Sequence, residues 1–182
     1  NSLRANKDLI VDTSVPTVSG VSLNAANSQL TVTFSENVYT NAGSGDLEVA
    51  DFALSISGGA ATVASTPTGI TKTAQNIWVL DVNISGTANG SETLTVVPAA
   101  GTAIYDKARN AASNSQLNNT ASLTEKILPT LVSAVTGDSD ADGTVDRLVL
   151  TFSEQVDLTG VDNNNFTLAE SVGGSSLAVS GS

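Results

Sequence analysis

The chain contains a second, offset copy of part of itself. LTVTFSENV at residues 30–38 returns as LVLTFSEQV at 148–156, an offset of 118. Upstream, NSLRANKDLIVDTSVPT at 1–17 aligns without gaps on NSQLNNTASLTEKILPT at 114–130, which pairs Pro16 with Pro129 at an offset of 113. ADFALSISGG (50–59) resembles NNFTLAESVGG (164–174) in the same order. A chain that repeats at this spacing is expected to fold as consecutive modules, because each copy is long enough for a core of its own. The five-residue change of offset falls on GDSDADGTVDR at 137–147, so the second copy carries an insertion there.

Within each copy the apolar residues alternate with polar ones, the period of half-buried strands. Leu30, Val32 and Phe34 point one way and Thr31 and Thr33 the other; Leu148, Leu150 and Phe152 repeat the stripe. Phe52, Leu54 and Ile56 form another, as do Trp78, Leu80, Val82 and Ile84, then Leu94 and Val96, with Trp78 at the expected centre of the core. No helix-length stretch has a 3.6-residue period. Pro16 and Pro129 stand just ahead of strands, where a missing amide costs no ladder bond. The expected fold is all-β, in tandem immunoglobulin-like β-sandwich modules of about 110 residues and about seven strands each. Residues 1–14 then read as the last strand of a preceding module or a linker, 15–127 as a complete sandwich, and 128–182 as the first part of a second.

Charge narrows the function. Seven basic residues stand against eighteen acidic ones, a formal net charge of −11, and such a field repels nucleic acid and anionic membrane surfaces while it attracts divalent cations. The chain has no Cys and no His, so disulfides, thiolate metal sites and His-based nucleophile activation are absent, and no G-x-S-x-G elbow appears. A carboxylate pair for glycoside hydrolysis would lack the usual aromatic platforms, since aromatics are 4% of the residues. No enzyme is expected. No apolar run approaches membrane-spanning length and NSLRANKDL is no signal peptide, so if the protein is exported its signal is expected upstream.

Two acidic constellations suggest cations. In the insertion, Asp138, Asp140 and Asp142 occupy positions 1, 3 and 5 of an oxygen-cage loop, Gly143 position 6, Thr144 position 7 and Asp146 position 9. Calcium, a hard ion tolerant of irregular geometry, suits four carboxylates and the Thr144 carbonyl. Position 12 is Val149 and the flanks read as strands, so the expectation is a rigid site weaker than a complete helix–loop–helix cage. The second constellation is Asp12, Glu36 and Asp106, which a sandwich would gather at one module end as a junction cation site. Asn83, Asn89, Asn118 and Asn165 begin N-x-S/T sequons and read as turn residues.

The combination VPTVSGVSL, LTVTFSENV, DFAL and YDKARNAAS resembles the bacterial immunoglobulin-like repeats of S-layer proteins and large exported adhesins. Their modules open with D-x-x-x-P-T-V, matched by Asp12 to Val18, carry T-F-S-E-x-V, matched by Thr33 to Val38, and close with D-x-x-G-N, matched at Asp106 and Asn110. Arg109 stands where that turn has glycine, and its side chain disfavours a left-handed conformation there. The resemblance implies a structural or adhesive repeat of an extracellular or cell-surface protein, with neighbouring modules of the same protein as partners. Two alternatives remain: a fibre subunit that assembles by strand exchange, and a glycan-binding accessory module that would use Tyr39 and Tyr105.

Overall fold

A computed structural model of the chain describes residues 11–40, 43–157 and 159. It divides into two compact units, Asn1–Ile127 and Leu128–Ser182. The described parts are all-β apart from one 3-10 turn, Val49–Asp51, and no helix among the described residues is long and apolar enough to cross a membrane. The first unit holds β1 (Val18–Leu23), β2 (Gln29–Phe34), β3 (Phe52–Ser57), β4 (Thr62–Val63), β5 (Gly69–Ala74), β6 (Ile77–Asp81), β7 (Ile84–Ser85), β8 (Thr93–Pro98) and β9 (Thr120–Ser122). The described elements of the second unit are β10 (Leu131–Gly137) and β11 (Arg147–Phe152).

In the first unit β1-β2-β6-β5 form one antiparallel sheet, β3-β8-β9 a second, and β4 pairs with β7. The alternation of the sequence decides which face each strand buries. Leu30, Val32 and Phe34 of β2 and Trp78 and Leu80 of β6 share one buried cluster with Phe52 and Leu54 of β3 and Leu94 and Val96 of β8. The Phe34 and Phe52 rings approach to 6.4 Å between centroids. Two antiparallel sheets closing on one apolar layer make a β-sandwich, and each such side chain contributes about 1.5–3 kcal/mol on burial. Trp78 is 1% exposed and donates its indole N–H to the Gln75 carbonyl at 3.2 Å, so its one polar atom is satisfied inside.

The two copies of the repeat build the same hairpin. In β1–β2, Val18 pairs with Phe34 and Gly20 with Thr33, a bulge between them; in β10–β11, Leu131 pairs with Phe152 and Ser133 with Thr151, with the bulge at the same place. Thr17 N–H donates to Ser35 Oγ at 3.0 Å and Ser35 N–H to the Thr17 carbonyl at 2.8 Å. Thr130 and Ser153 repeat both bonds at 2.9 Å. Pro16 and Pro129 each lie two residues before their strand. The inserted residues lie between β10 and β11, which the shorter Asn24–Ser28 connection replaces in the first unit.

Two sequence expectations change. The stripe from Trp78 to Ile84 is not one strand: β6 ends at Asp81, and Ile84 passes to β7 to pair with Val63. Arg109 does adopt the left-handed region, at φ 75°, a cost of about 1–2 kcal/mol that the hydrogen bonds of its turn offset. Residues 1–10, most of the segment expected as the last strand of a preceding module or a linker, lie outside the described residues, as do 160–182 with Asn165 and the second FTL motif.

Glu92, at the start of β8, turns inward and is fully buried. Its Oε1 accepts the amides of Ala60 at 3.1 Å and Ala61 at 3.2 Å, and its Oε2 accepts the Asn89 amide at 3.0 Å. Gly59, at φ 53°, has no room for a Cβ against this carboxylate. Burial pushes the Glu92 carboxyl up, but the amides of Ala61, Asn89 and Ala60 outweigh it and hold it below the ordinary glutamate value. A folded-state value below the unfolded one stabilises above the ordinary carboxylate range, and that contribution is lost as pH falls through the folded value. Glu92→Ala, which strands three amides, should therefore lower the melting temperature by about 5 °C or more at neutral pH, with the deficit shrinking on acidification. A melting series from pH 7 to pH 3 checks this; an equal deficit at every pH would contradict it.

Candidate metal centres

The Thr17–Ser35 bonds bring the leading segment alongside the end of β2, and this places Asp12 near Glu36. Asp106 arrives from the other side. Tyr39 and Tyr105 exchange backbone bonds at 2.7 and 2.8 Å, which pins the residue after Tyr105 to the chain leaving β2. Asp106 is 1% exposed, and its two oxygens accept the Asn110 backbone N–H and the Asn110 side-chain amide, both at 2.7 Å. The same side-chain amide donates to the Asp12 carbonyl at 3.1 Å, so Asn110 ties two of the acidic residues together.

The result is that one carboxylate oxygen each from Asp12, Glu36 and Asp106 lies within 4.8 Å of the others. Two oxygens on opposite sides of a calcium ion are about 4.6–5.2 Å apart, so three oxygens this near one another could share a hard cation. Asp12 is exposed and Glu36 half-buried. Burial, then Asp106, then Asp12 push the Glu36 carboxyl above the ordinary glutamate value. Among the described residues no basic side chain forms an ion pair with the group. The sole salt bridge among the described residues, Lys72 with Asp46 at 2.5 Å, lies elsewhere, and Lys107 is engaged with the Gly43 carbonyl and the Tyr39 ring.

The loop between β10 and β11 brings Asp138, Asp140 and Asp146 together, again within 4.8 Å, all exposed. Asp142 stands outside this group, its Oδ1 accepting the Thr144 N–H at 2.7 Å. The loop is held from within. Asp138 accepts the Gly143 amide at 2.8 Å, and both oxygens of Asp146 accept the Ser139 amide at 3.0 Å. The Gly143 amide is the main reason the Asp138 carboxyl lies below the ordinary aspartate value. Gly143 at φ 89° and Ala141 at φ 59° make the reversal. Both clusters therefore offer oxygen donors of the kind calcium takes, with one amide-rich and open and the other partly enclosed.

Of the sequence-derived residues, the structure groups Asp12 with Glu36 and Asp106, and Asp138 with Asp140 and Asp146. Sequence reasoning overlooked Asn110 as the residue that fixes Asp106 and Asp12; its place in the D-x-x-x-N turn was the available signal. Tyr39 and Tyr105 are half-buried, and no aromatic side chain among the described residues is exposed. Comparison of the chain with family models, with curated proteins and with solved structures finds no match.

A raised folded-state value means that Glu36 costs stability once it ionises, so its contribution worsens as pH rises through that value. Without a cation, Glu36→Gln should raise the melting temperature of the first unit by about 2–5 °C at pH 7. In millimolar calcium the order should reverse, because the variant loses a ligand. Melting curves of both proteins in chelator and in calcium read this crossover, and parallel shifts would remove Glu36 from any cation site.

Proposed function

We propose that this chain is a stretch of tandem immunoglobulin-like modules from a bacterial extracellular or cell-surface protein, serving as a stalk, adhesin or S-layer segment stiffened by calcium. The observation that carries the reading is the duplicated hairpin. Register, bulge and the Thr–Ser bonds coincide in two copies 113 to 118 residues apart, and a locally identical frame built twice is the mark of modules strung along a chain. The role is mechanical rather than catalytic, with neighbouring modules as the partners.

Calcium follows from charge. A net charge of −11 with carboxylates gathered in threes is self-repulsive, and divalent cations relieve this where the oxygens already converge. Asp12 belongs to the segment leading into the sandwich, so an ion shared with Glu36 and Asp106 would fix the direction in which the chain enters the module. The ion at Asp138, Asp140 and Asp146 would lock the β10–β11 reversal, with Asp142 and the Thr144 carbonyl available to complete its shell.

Ligand that binds only the folded form stabilises by about 2.7 kcal/mol at a hundredfold excess over its dissociation constant. Calcium should accordingly raise the melting temperature of the 182-residue chain, and Asp140→Asn should reduce calorimetric binding while Asp157→Asn leaves it unchanged. Three linked modules should scatter as an extended rod in calcium. No calorimetric binding at millimolar calcium would defeat the calcium reading, and a compact scattering envelope would defeat the stalk.

A further inference from the structure

Asn89-Gly90-Ser91, the reversal that leads into β8, contains the single Asn-Gly step of the chain, and its three residues are exposed. Asn89 is held from two sides. Its backbone N–H donates to Glu92 Oε2 at 3.0 Å, which fixes it beside the buried carboxylate. Its side-chain Oδ1 accepts the Ser91 N–H at 3.0 Å and the Ser91 hydroxyl at 2.6 Å. Two donors on one carbonyl oxygen draw charge from Cγ and steady a negative oxygen that forms there. The Gly90 backbone nitrogen is the nucleophile that closes a succinimide ring on this carbon. Among the described residues the Gly90 N–H has no hydrogen-bond partner, and Gly90, at φ 81°, has no side chain to obstruct the approach.

Asparagines before serine are guarded by comparison. The Ser28 amide, which follows Asn27, donates to Asn24 Oδ1 at 2.8 Å, and both ends of the Asn27 side-chain amide are bonded to Thr124. The Ser115 amide, which follows Asn114, donates to Ser113 Oγ at 3.0 Å. We propose that Asn89 is a site of spontaneous self-modification, at which the Gly90 nitrogen displaces the side-chain amide as ammonia and water opens the resulting ring to aspartate or isoaspartate. A bond forms between Gly90 N and Asn89 Cγ, the Cγ–Nδ2 bond breaks, and the Gly90 proton leaves with the ammonia. Water then splits one of the two ring C–N bonds, with nothing oxidised or reduced. Opening at the former side-chain carbonyl gives aspartate. Opening at the main-chain carbonyl gives isoaspartate, which routes the backbone through the side chain and lengthens it by a carbon. Either product places a new carboxylate close to Glu92, and isoaspartate also shifts the backbone that presents the Asn89 amide to it. The inference rests on neither the modular nor the calcium reading.

The experiment ages the folded 182-residue chain at mildly alkaline pH and physiological temperature, with peptide mapping by mass spectrometry to read the change from amide to acid and an isoaspartyl methyltransferase assay to read isoaspartate. Asn89 should convert about tenfold or more faster than Asn27 and Asn114 in the same sample. Ser91→Ala, which removes the hydroxyl donor from Asn89 Oδ1, should slow the conversion about threefold in the folded chain. In the chain unfolded by urea, where Ser91 no longer holds that carbonyl, the same substitution should have little effect. Conversion at Asn89 no faster than at Asn27 and Asn114, absence of isoaspartate, or an equal effect of Ser91→Ala in the folded and unfolded chains would each overturn the proposal. None of these outcomes bears on the calcium and scattering results that test the stalk, so the two readings fail separately.

Discussion

The reciprocal bonds between Thr17 and Ser35 govern one end of the first unit. They join the segment before β1 to the residues just after β2, outside the regular ladder, where the bulge between Val18 and Gly20 would otherwise let the strands diverge. With that junction closed, Glu36 must emerge beside the leading segment, and the Tyr39–Tyr105 pairing then carries Asp106 to the same place. The acidic cluster is thus a consequence of strand-end geometry. Its recurrence as Thr130 and Ser153 explains why P-T and T-F-S return together in the sequence: they are two halves of one fastening.

A protein this acidic has to dispose of its carboxylates, and the structure uses different means at different depths. Asp46 takes the exposed Lys72. Glu92, fully buried, takes three backbone amides and needs no cation, since amide dipoles aimed at a carboxylate stabilise it without the desolvation cost of a second charge. Asp106 is held by both nitrogens of Asn110. Glu36 has none of these and is pushed upward by burial and its neighbours. That contrast sets Glu36 apart from the more deeply buried acids, because its carboxyl lies above the ordinary glutamate value.

Much of the frame was legible because alternation reports directly on which face a strand buries. Leu30, Val32, Phe34, Trp78 and Leu80 could be placed in the core from spacing alone. What failed was information that is not local. β5 has an exposed middle, Thr71 to Thr73, and shows no apolar stripe, so its place beside β6 follows from pairing alone. Glu92 reads as the polar start of a strand, since its partners at Ala60 and Ala61 lie about thirty residues away. Arg109 was misread because a left-handed residue was judged by its side chain, whereas Asp106 and Asn110 determine the turn around it. The acidic groups were legible as clusters, but Asp142 was placed by loop spacing and the structure turns it to Thr144.

The two hairpin loops show what the insertion changes. In the first unit Asn24 accepts the Ser28 and Gln29 amides, and Asn27, left-handed at φ 58°, exchanges bonds of 2.7 and 2.8 Å with Thr124 near the closing strand. The short loop is neutral and fastened to the body of its sandwich. The longer loop of the second unit replaces those amides with aspartates, and every side-chain hydrogen bond described for it stays within the loop. A neutral loop that reaches the sandwich is ordered by the protein alone. The acidic loop keeps its described side-chain hydrogen bonds to itself, so none of them fastens it to the strands of its own unit as Asn27 fastens the short loop to Thr124.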